Sequence, residues 1–242
     1  MTSPLFHVSI ALLSSVPFSA GASQAPSPPG VHAGTWRYSG QAQQGDQRQD
    51  LGTRTVSITP TKTETEDTWL VVMVMQVQGQ SLTDSVVMRR SNLTPVSRHT
   101  IMPGTDLLLA TDDSMAHGLL TAQNQVIPLN VRFQGQSFLN YYALRAAFAG
   151  FALTNGWTGT ASVLELGRDP IFAPLTLAVV DTERITVQAG AFDCWHVRVT
   201  GAVGVNEQYW IARDTHDVIR TREPIGGQGA ILQLDLIPPA TK

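Results

Sequence analysis

Polar and apolar residues alternate with a period of two along much of this chain. Thr55-Val56-Ser57-Ile58-Thr59 shows it most plainly, as a strand with one wet face should. Residues 69–77 (Trp-Leu-Val-Val-Met-Val-Met-Gln-Val) are apolar on both faces for much of their length, which predicts a strand covered on both sides or lining a cavity. Further strands are predicted at 85–89, 106–110, 126–133, 175–180, 184–187, 195–200, 208–213, 218–222 and 230–236. They are short and lie close together between Gly, Pro, Asn and Asp turn signals, the pattern of an antiparallel meander. No helical patterns alternate with them, so a parallel α/β sheet is disfavoured.

One segment changes period. Residues 137–153 are alanine-rich and free of proline, with Ser137 as the expected N-cap. Phe138, Tyr142, Arg145, Ala149 and Ala152 fall on one helical face, and Leu139, Tyr141, Leu144 and Phe148 cover the face beside it. A helix apolar nearly all round belongs in a core. The expected fold is therefore mainly β: a strongly curved antiparallel sheet, or half-barrel, packed around one central helix at about 137–153. Arg145 is the only charge on that helix and must find a carboxylate of the sheet, reach solvent or face a ligand headgroup, because burying it alone is very costly.

The first 22 residues carry no charged side chain, run apolar from Val8 to Phe18, and end in the small-x-small pattern Ala20-Gly21-Ala22. Residues 1–22 are expected to be a signal peptide, 23–32 a Pro-rich linker and 33–240 a single antiparallel β domain. The apolar run is too short for a membrane-spanning helix, which takes about 20 residues. A periplasmic or secreted location follows from this reading.

Composition narrows the classes of function. Charged residues make up 14% of the 242 and the net charge is −3, so no basic footprint for nucleic acid exists. The single cysteine, Cys194, rules out an intramolecular disulfide and a cysteine-based zinc site. Its partner by strand geometry, His196, points to the same face without making a bonded pair, so a buried structural thiol is expected. Nucleophile elbows, metalloprotease helices, phosphate loops and EF-hand loops are all missing. Asp214-Thr215-His216-Asp217 places two carboxylates around an imidazole. It lies between two strand-like runs, where aspartates bonding their own backbone make a hairpin turn. Arg198, Arg220 and Arg222, with Glu207 and Glu223 nearby, read as cross-strand ion pairs on a wet sheet face.

Four short motifs in order resemble a family of exported bacterial proteins known only as a domain of unknown function, whose members are similar to the half-barrels of the LolA/LolB lipoprotein carriers. They are 92–95 (Asn-Leu-Thr-Pro), 141–145 (Tyr-Tyr-Ala-Leu-Arg), 187–197 (Val-Gln-Ala-Gly-Ala-Phe-Asp-Cys-Trp-His-Val) and 209–220 (Tyr-Trp-Ile-Ala-Arg-Asp-Thr-His-Asp-Val-Ile-Arg). The resemblance spans about residues 85–223, implies a half-barrel around a helix, and brings no catalytic residues with it.

These readings lead to a non-enzymatic envelope protein whose curved sheet holds a lipid or other apolar ligand, with no cofactor, no metal and no catalytic set. The expected ligand-binding residues are Trp69, Phe138, Tyr142, Arg145 and Trp210. An envelope assembly factor acting through a protein partner is the first alternative. A hydrolase built on Asp214 and His216 is the last.

Overall fold

The computed structural model describes residues 30–239 apart from 78, 168, 202–204 and 226–228. The expected signal peptide and residues 23–29 of the expected linker lie outside them. The described strands are β1 (Gly34–Gln44), β2 (Gln47–Lys62), β3 (Asp67–Val77), β4 (Gln80–Arg89), β5 (Pro95–Met102), β6 (Thr105–Thr111), β7 (Met115–Ala122), β8 (Gln125–Arg132), β9 (Ser137–Phe138), β10 (Thr158–Glu165), β11 (Ile171–Val187), β12 (Gly190–Gly201), β13 (Asn206–Ala212), β14 (Val218–Ile225) and β15 (Ala230–Ile237). All fifteen lie in one sheet, with β8 at one edge and β9 at the other. Each strand pairs with its sequence neighbour except at the centre, where β1 pairs antiparallel with β15, Arg37 opposite Ile237 and Gln43 opposite Ile231. The sheet does not close, but it bends far enough for Phe133, just past β8, to pack against Phe172 of β11 with ring centroids 5.1 Å apart.

Between β9 and β10 the chain forms helix α1 (Tyr141–Ala147) and a 3-10 turn, Phe148–Gly150. The helix is shorter than the expected 137–153, and Ser137 is not its cap. Ser137 and Phe138 instead pair in parallel with Ser162 and Val163 of β10, and the Ser137 hydroxyl lies 2.7 Å from that of Ser162. The cap is Asn140, whose Oδ1 accepts the Ala143 N–H at 2.8 Å. Its Nδ2 donates to Asp84 Oδ2 at 2.9 Å, and Asp84 also accepts two bonds from Arg98 and one from Thr100. Arg98 in turn donates to the Leu139 carbonyl at 2.6 Å. This network ties the start of the helix to β4 and β5 and satisfies groups that would be costly to bury unbonded. At the far end, Phe151 leaves the helical region with ψ 139°.

The concave side of the sheet holds the main core. Leu144, Phe148, Phe138 and Leu139 from the helical segment are fully buried against Val71, Val86, Leu107 and Leu177 from the strands. Each such side chain contributes about 1.5–3 kcal/mol on burial. The convex side has no second layer among the described residues. Strand β3 therefore departs from the expectation that both its faces are covered: Trp69, Val71 and Met73 are buried, while Leu70, Val72 and Val74 are half-buried on the outer side. A smaller outer cluster gathers Ile185, Val187, Cys194, Trp210, Ala212 and Ile219 around β11 to β14.

Candidate functional site

Strand parity on β13 and β14 decides what faces the helix. Glu207, Tyr209 and Ile211 alternate toward the concave side, and so do Thr221 and Glu223, with Tyr209 opposite Thr221. Across the central pairing, Arg54 of β2 joins them, because it lies opposite both Tyr38 of β1 and Met75 of β3. The helix brings Arg145 down onto this group. Glu207 is thus buried and Glu223 half-buried, and neither is the exposed sheet-face carboxylate that its sequence neighbourhood suggests. Arg220 does make a cross-strand ion pair, but with Asp235 of β15 and with neither glutamate.

The carboxylate of Glu223 bonds the Arg145 guanidinium and lies 3.8 Å from Arg54 Nη1. Tyr142 has Arg54 on one side, at 5.3 Å from its ring centroid, and Arg145 at 4.8 Å. Burial alone would push the Glu223 carboxyl up, but Arg145 and Arg54 outweigh it and hold Glu223 below its ordinary value. Glu207 is left without such a partner. Burial first, and then the charge of Glu223, push its carboxyl up to about 7, while the Tyr209 hydroxyl donates to its Oε2. Near neutrality a large fraction of Glu207 is protonated, so two guanidiniums face little more than one carboxylate charge.

This arrangement fixes a pH dependence. Glu207 titrates higher in the folded chain than its ordinary 4.5, so it stabilises the fold less as pH rises from about 4.5 through about 7. Glu223 works the other way, and its contribution is lost as pH falls below about 4.5. Glu207→Gln removes the first titration only. The variant is expected to unfold at the wild-type temperature at pH 5 and several degrees higher at pH 8.5, reflecting roughly 2–3 kcal/mol. Thermal unfolding followed by circular dichroism at the two pH values measures it. Equal shifts at both would show that Glu207 does not titrate in this range.

Two clefts flank the charged group. One, of about 50 Å³, is lined by Trp36, Tyr38, Ile58, Arg145 and Ala149. The other, of about 180 Å³, is lined by Leu51, Met75, Ile225, Leu232 and Leu234, with Arg54 at its inner wall. Arg54 is unusual there. It is buried, its Nε and Nη1 have no hydrogen-bond partner, and its Nη2 donates only to the Met75 sulfur, 3.6 Å away. A thioether is a weak acceptor, so this cation is poorly satisfied.

Of the five residues expected from sequence to bind a ligand, the structure gathers Tyr142 and Arg145 at this site. Phe138 and Trp69 are on the concave side but within the packed core, where Arg90 covers the Trp69 ring at 4.5 Å. Trp210 is on the opposite face, since it follows Tyr209 on one strand. Arg54 and Glu223 complete the group, and their pairing across the sheet centre has no local signature in the chain. The 214–217 segment is a turn: Asp214 accepts the Thr215 N–H at 2.9 Å, His216 has φ 60°, and Asp217 faces His32 at 3.2 Å. His216 and Asp217 both line the smaller cleft, but no hydrogen bond or ion pair links the His216 ring to either aspartate among the described residues.

Comparison with known proteins adds family and fold. The family described as "Protein of unknown function (DUF3108)" matches residues 35–233. No curated protein sequence matches significantly. Among solved structures, the chain is similar to the hypothetical lipoprotein YmcC from Escherichia coli (K12), at 14% identity and a TM-score of 0.34, covering 86% of this chain and 85% of that one. It is also similar to a protein with a YmcC-like fold from Bacteroides fragilis NCTC 9343, described as exported, at 9% identity and a TM-score of 0.30, covering 88% and 97%. Among the described residues, no helix is long and apolar enough to cross a membrane.

Proposed function

From the premise that the chain belongs to the DUF3108 family, which carries no assigned activity, we propose that it is a non-enzymatic envelope protein that holds an acyl chain with an anionic end in its concave sheet. The carrying observation is Arg54, buried and under-bonded at the inner wall of an apolar cleft. An anionic oxygen replacing the Met75 sulfur at Nη2 would exchange a weak acceptor for a charge-assisted bond. Leu51, Ile225, Leu232 and Leu234 would cover the first carbons of the chain, while the Tyr142 ring lies against the Arg54 guanidinium, 5.3 Å from it. At about 180 Å³ the cleft suits a segment of acyl chain, with the remainder lying along the sheet. The expected likeness to the LolA/LolB carriers belongs to this proposal, as does a periplasmic or secreted location.

Dodecanoate tests it. Calorimetric titration should give one equivalent bound, and native mass spectrometry of protein purified from cell envelopes should show a lipid-sized addition. Arg54→Leu removes the charge and Leu51→Trp fills the cleft; each should weaken binding about tenfold or more. A clean mass and no uptake of dodecanoate would refute the proposal.

A second reading, an assembly factor, is favoured by a different feature. Ile101 (50% exposed), Leu108 (56%), Leu119 (48%) and Val126 (62%) crowd the outer face of β5 to β8, beside the unpaired β8 edge. Cross-linking in intact cells separates the two, since this reading requires a protein partner on that arm.

A further inference from the structure

The convex face carries a second chemical feature, created by a β-bulge. Up to Val179, alternate residues of β11 point into the main core. The register with β12 then shifts between Val179 and Asp181. Past the shift, Asp181, Glu183, Ile185 and Val187 point outward, and the last two join the outer apolar cluster. The bulge sets Asp181 opposite His196 and Glu183 opposite Cys194. Asp181, Glu183 and His196 thereby bring one ligand atom each to within 4.8 Å of one another.

Three observations make this more than a patch of surface charge. First, among the described residues neither carboxylate forms an ion pair with an arginine. Arg184 Nη1 donates to both Asp193 oxygens, at 2.9 and 3.0 Å, and Arg220 bonds Asp235. Second, His196 is clamped: its ring stacks on Trp210 at 4.6 Å with 5° between planes, and its Nε2 lies 3.3 Å from Gln208 Oε1. Its Nδ1 lies 3.1 Å from Asp181 Oδ1, so a ring nitrogen and a carboxylate oxygen already converge on one point. Third, the Trp210 indole N–H bonds Glu183, so this carboxylate is also oriented from outside the cluster. Outer partners that fix a histidine and a carboxylate in this way are a general property of metal centres.

We propose that Asp181, Glu183 and His196 form a mononuclear site for a divalent transition cation of the zinc class. One imidazole nitrogen with two carboxylates favours such an ion over magnesium or calcium, which prefer all-oxygen shells. Asp181 is 61% exposed, so water completes the coordination and the ion exchanges with solvent. The site lies on the opposite face from the acyl-chain cleft and stands independently of it.

The test uses untagged, chelator-treated full-length protein. Calorimetry should detect one equivalent of zinc, undisturbed by excess calcium or magnesium. Copper should quench part of the tryptophan emission, and Trp210→Phe should remove that part, because His196 stacks directly on this indole. His196→Gln and Asp181→Asn should each abolish the binding and the accompanying rise in thermal stability. Trp210→Phe should retain the ion about 10–100-fold more weakly. His99→Gln and His216→Gln should bind as the parent does. The melting curve of each variant without metal verifies its fold. No zinc binding, or zinc binding unchanged in both ligand variants, would overturn the proposal.

Discussion

Replacing Glu223 with leucine is expected to cost about 3–5 kcal/mol of stability. The carboxylate is the shared counter-ion of Arg145, which is buried on the helix, and Arg54, which is buried on the sheet. Removing it leaves two guanidiniums with only Tyr142, Tyr209 and the more distant Glu207 for company. Two like charges held largely out of water repel each other. The unfolding midpoint should fall by roughly 10 °C for a chain of this size. A triple change of Arg54, Arg145 and Glu223 to leucine should recover most of that loss, because packed apolar residues commonly replace a buried ion group without penalty. Chemical denaturation of wild type, single and triple variants measures both. A single variant within about 1 kcal/mol of wild type would show that water reaches the group.

Phe148→Ala is expected to cost a comparable amount, about 3–5 kcal/mol. Phe148 is fully buried where α1 passes into the 3-10 turn, and its ring centroid is 5.0 Å from Tyr209 and 6.1 Å from Phe151. Truncation opens a void at the point where the helical segment fills the bent sheet, and rigid strands on the other side can relax into it only in part. It also frees the Tyr209 ring, whose hydroxyl bonds Glu207. The loss should appear in urea unfolding as a lower midpoint with an unchanged denaturant slope. A change of slope would mean that the helix, not only its packing, is lost.

Much of the architecture can be read in the residues themselves. The alternation at 55–59, the apolar run at 69–77, the Asp-led turn at 214–217 and the apolar run after 138 translate into β2, β3, a hairpin and the buried helix, although β3 is covered on one face only. Strands β1, β7 and β10 escape the pattern because glutamine, glycine, alanine and small polar residues dilute their propensity, and β5 because Pro95 and the Arg98-His99 pair interrupt its apolar alternation; pairing on both sides supplies what their sequences lack. Strand β11 reads as two pieces because the bulge reverses the phase of its alternation midway. The helix reads too long because period alone does not show that Ser137 and Phe138 have a sheet partner 25 residues ahead. At the site, Arg145 announces itself as a lone charge on an apolar helix. Its partner Glu223 lies 78 residues away, and Arg54 occupies a polar stretch that looks wet until β1 meets β15. Likewise, Tyr209 and Trp210 are equally aromatic, and only parity sends them to opposite sides.

That central junction of first and last strands has a consequence for how the chain is made. Delivered from its N-terminus, whether from a ribosome or through a translocation pore, the polypeptide exposes the bare amides and carbonyls of β1 until its last strand arrives. The seam at the middle of the molecule is thus completed last. A chaperone that shields this hydrogen-bonding edge during that interval would protect the newly made protein from pairing with other chains.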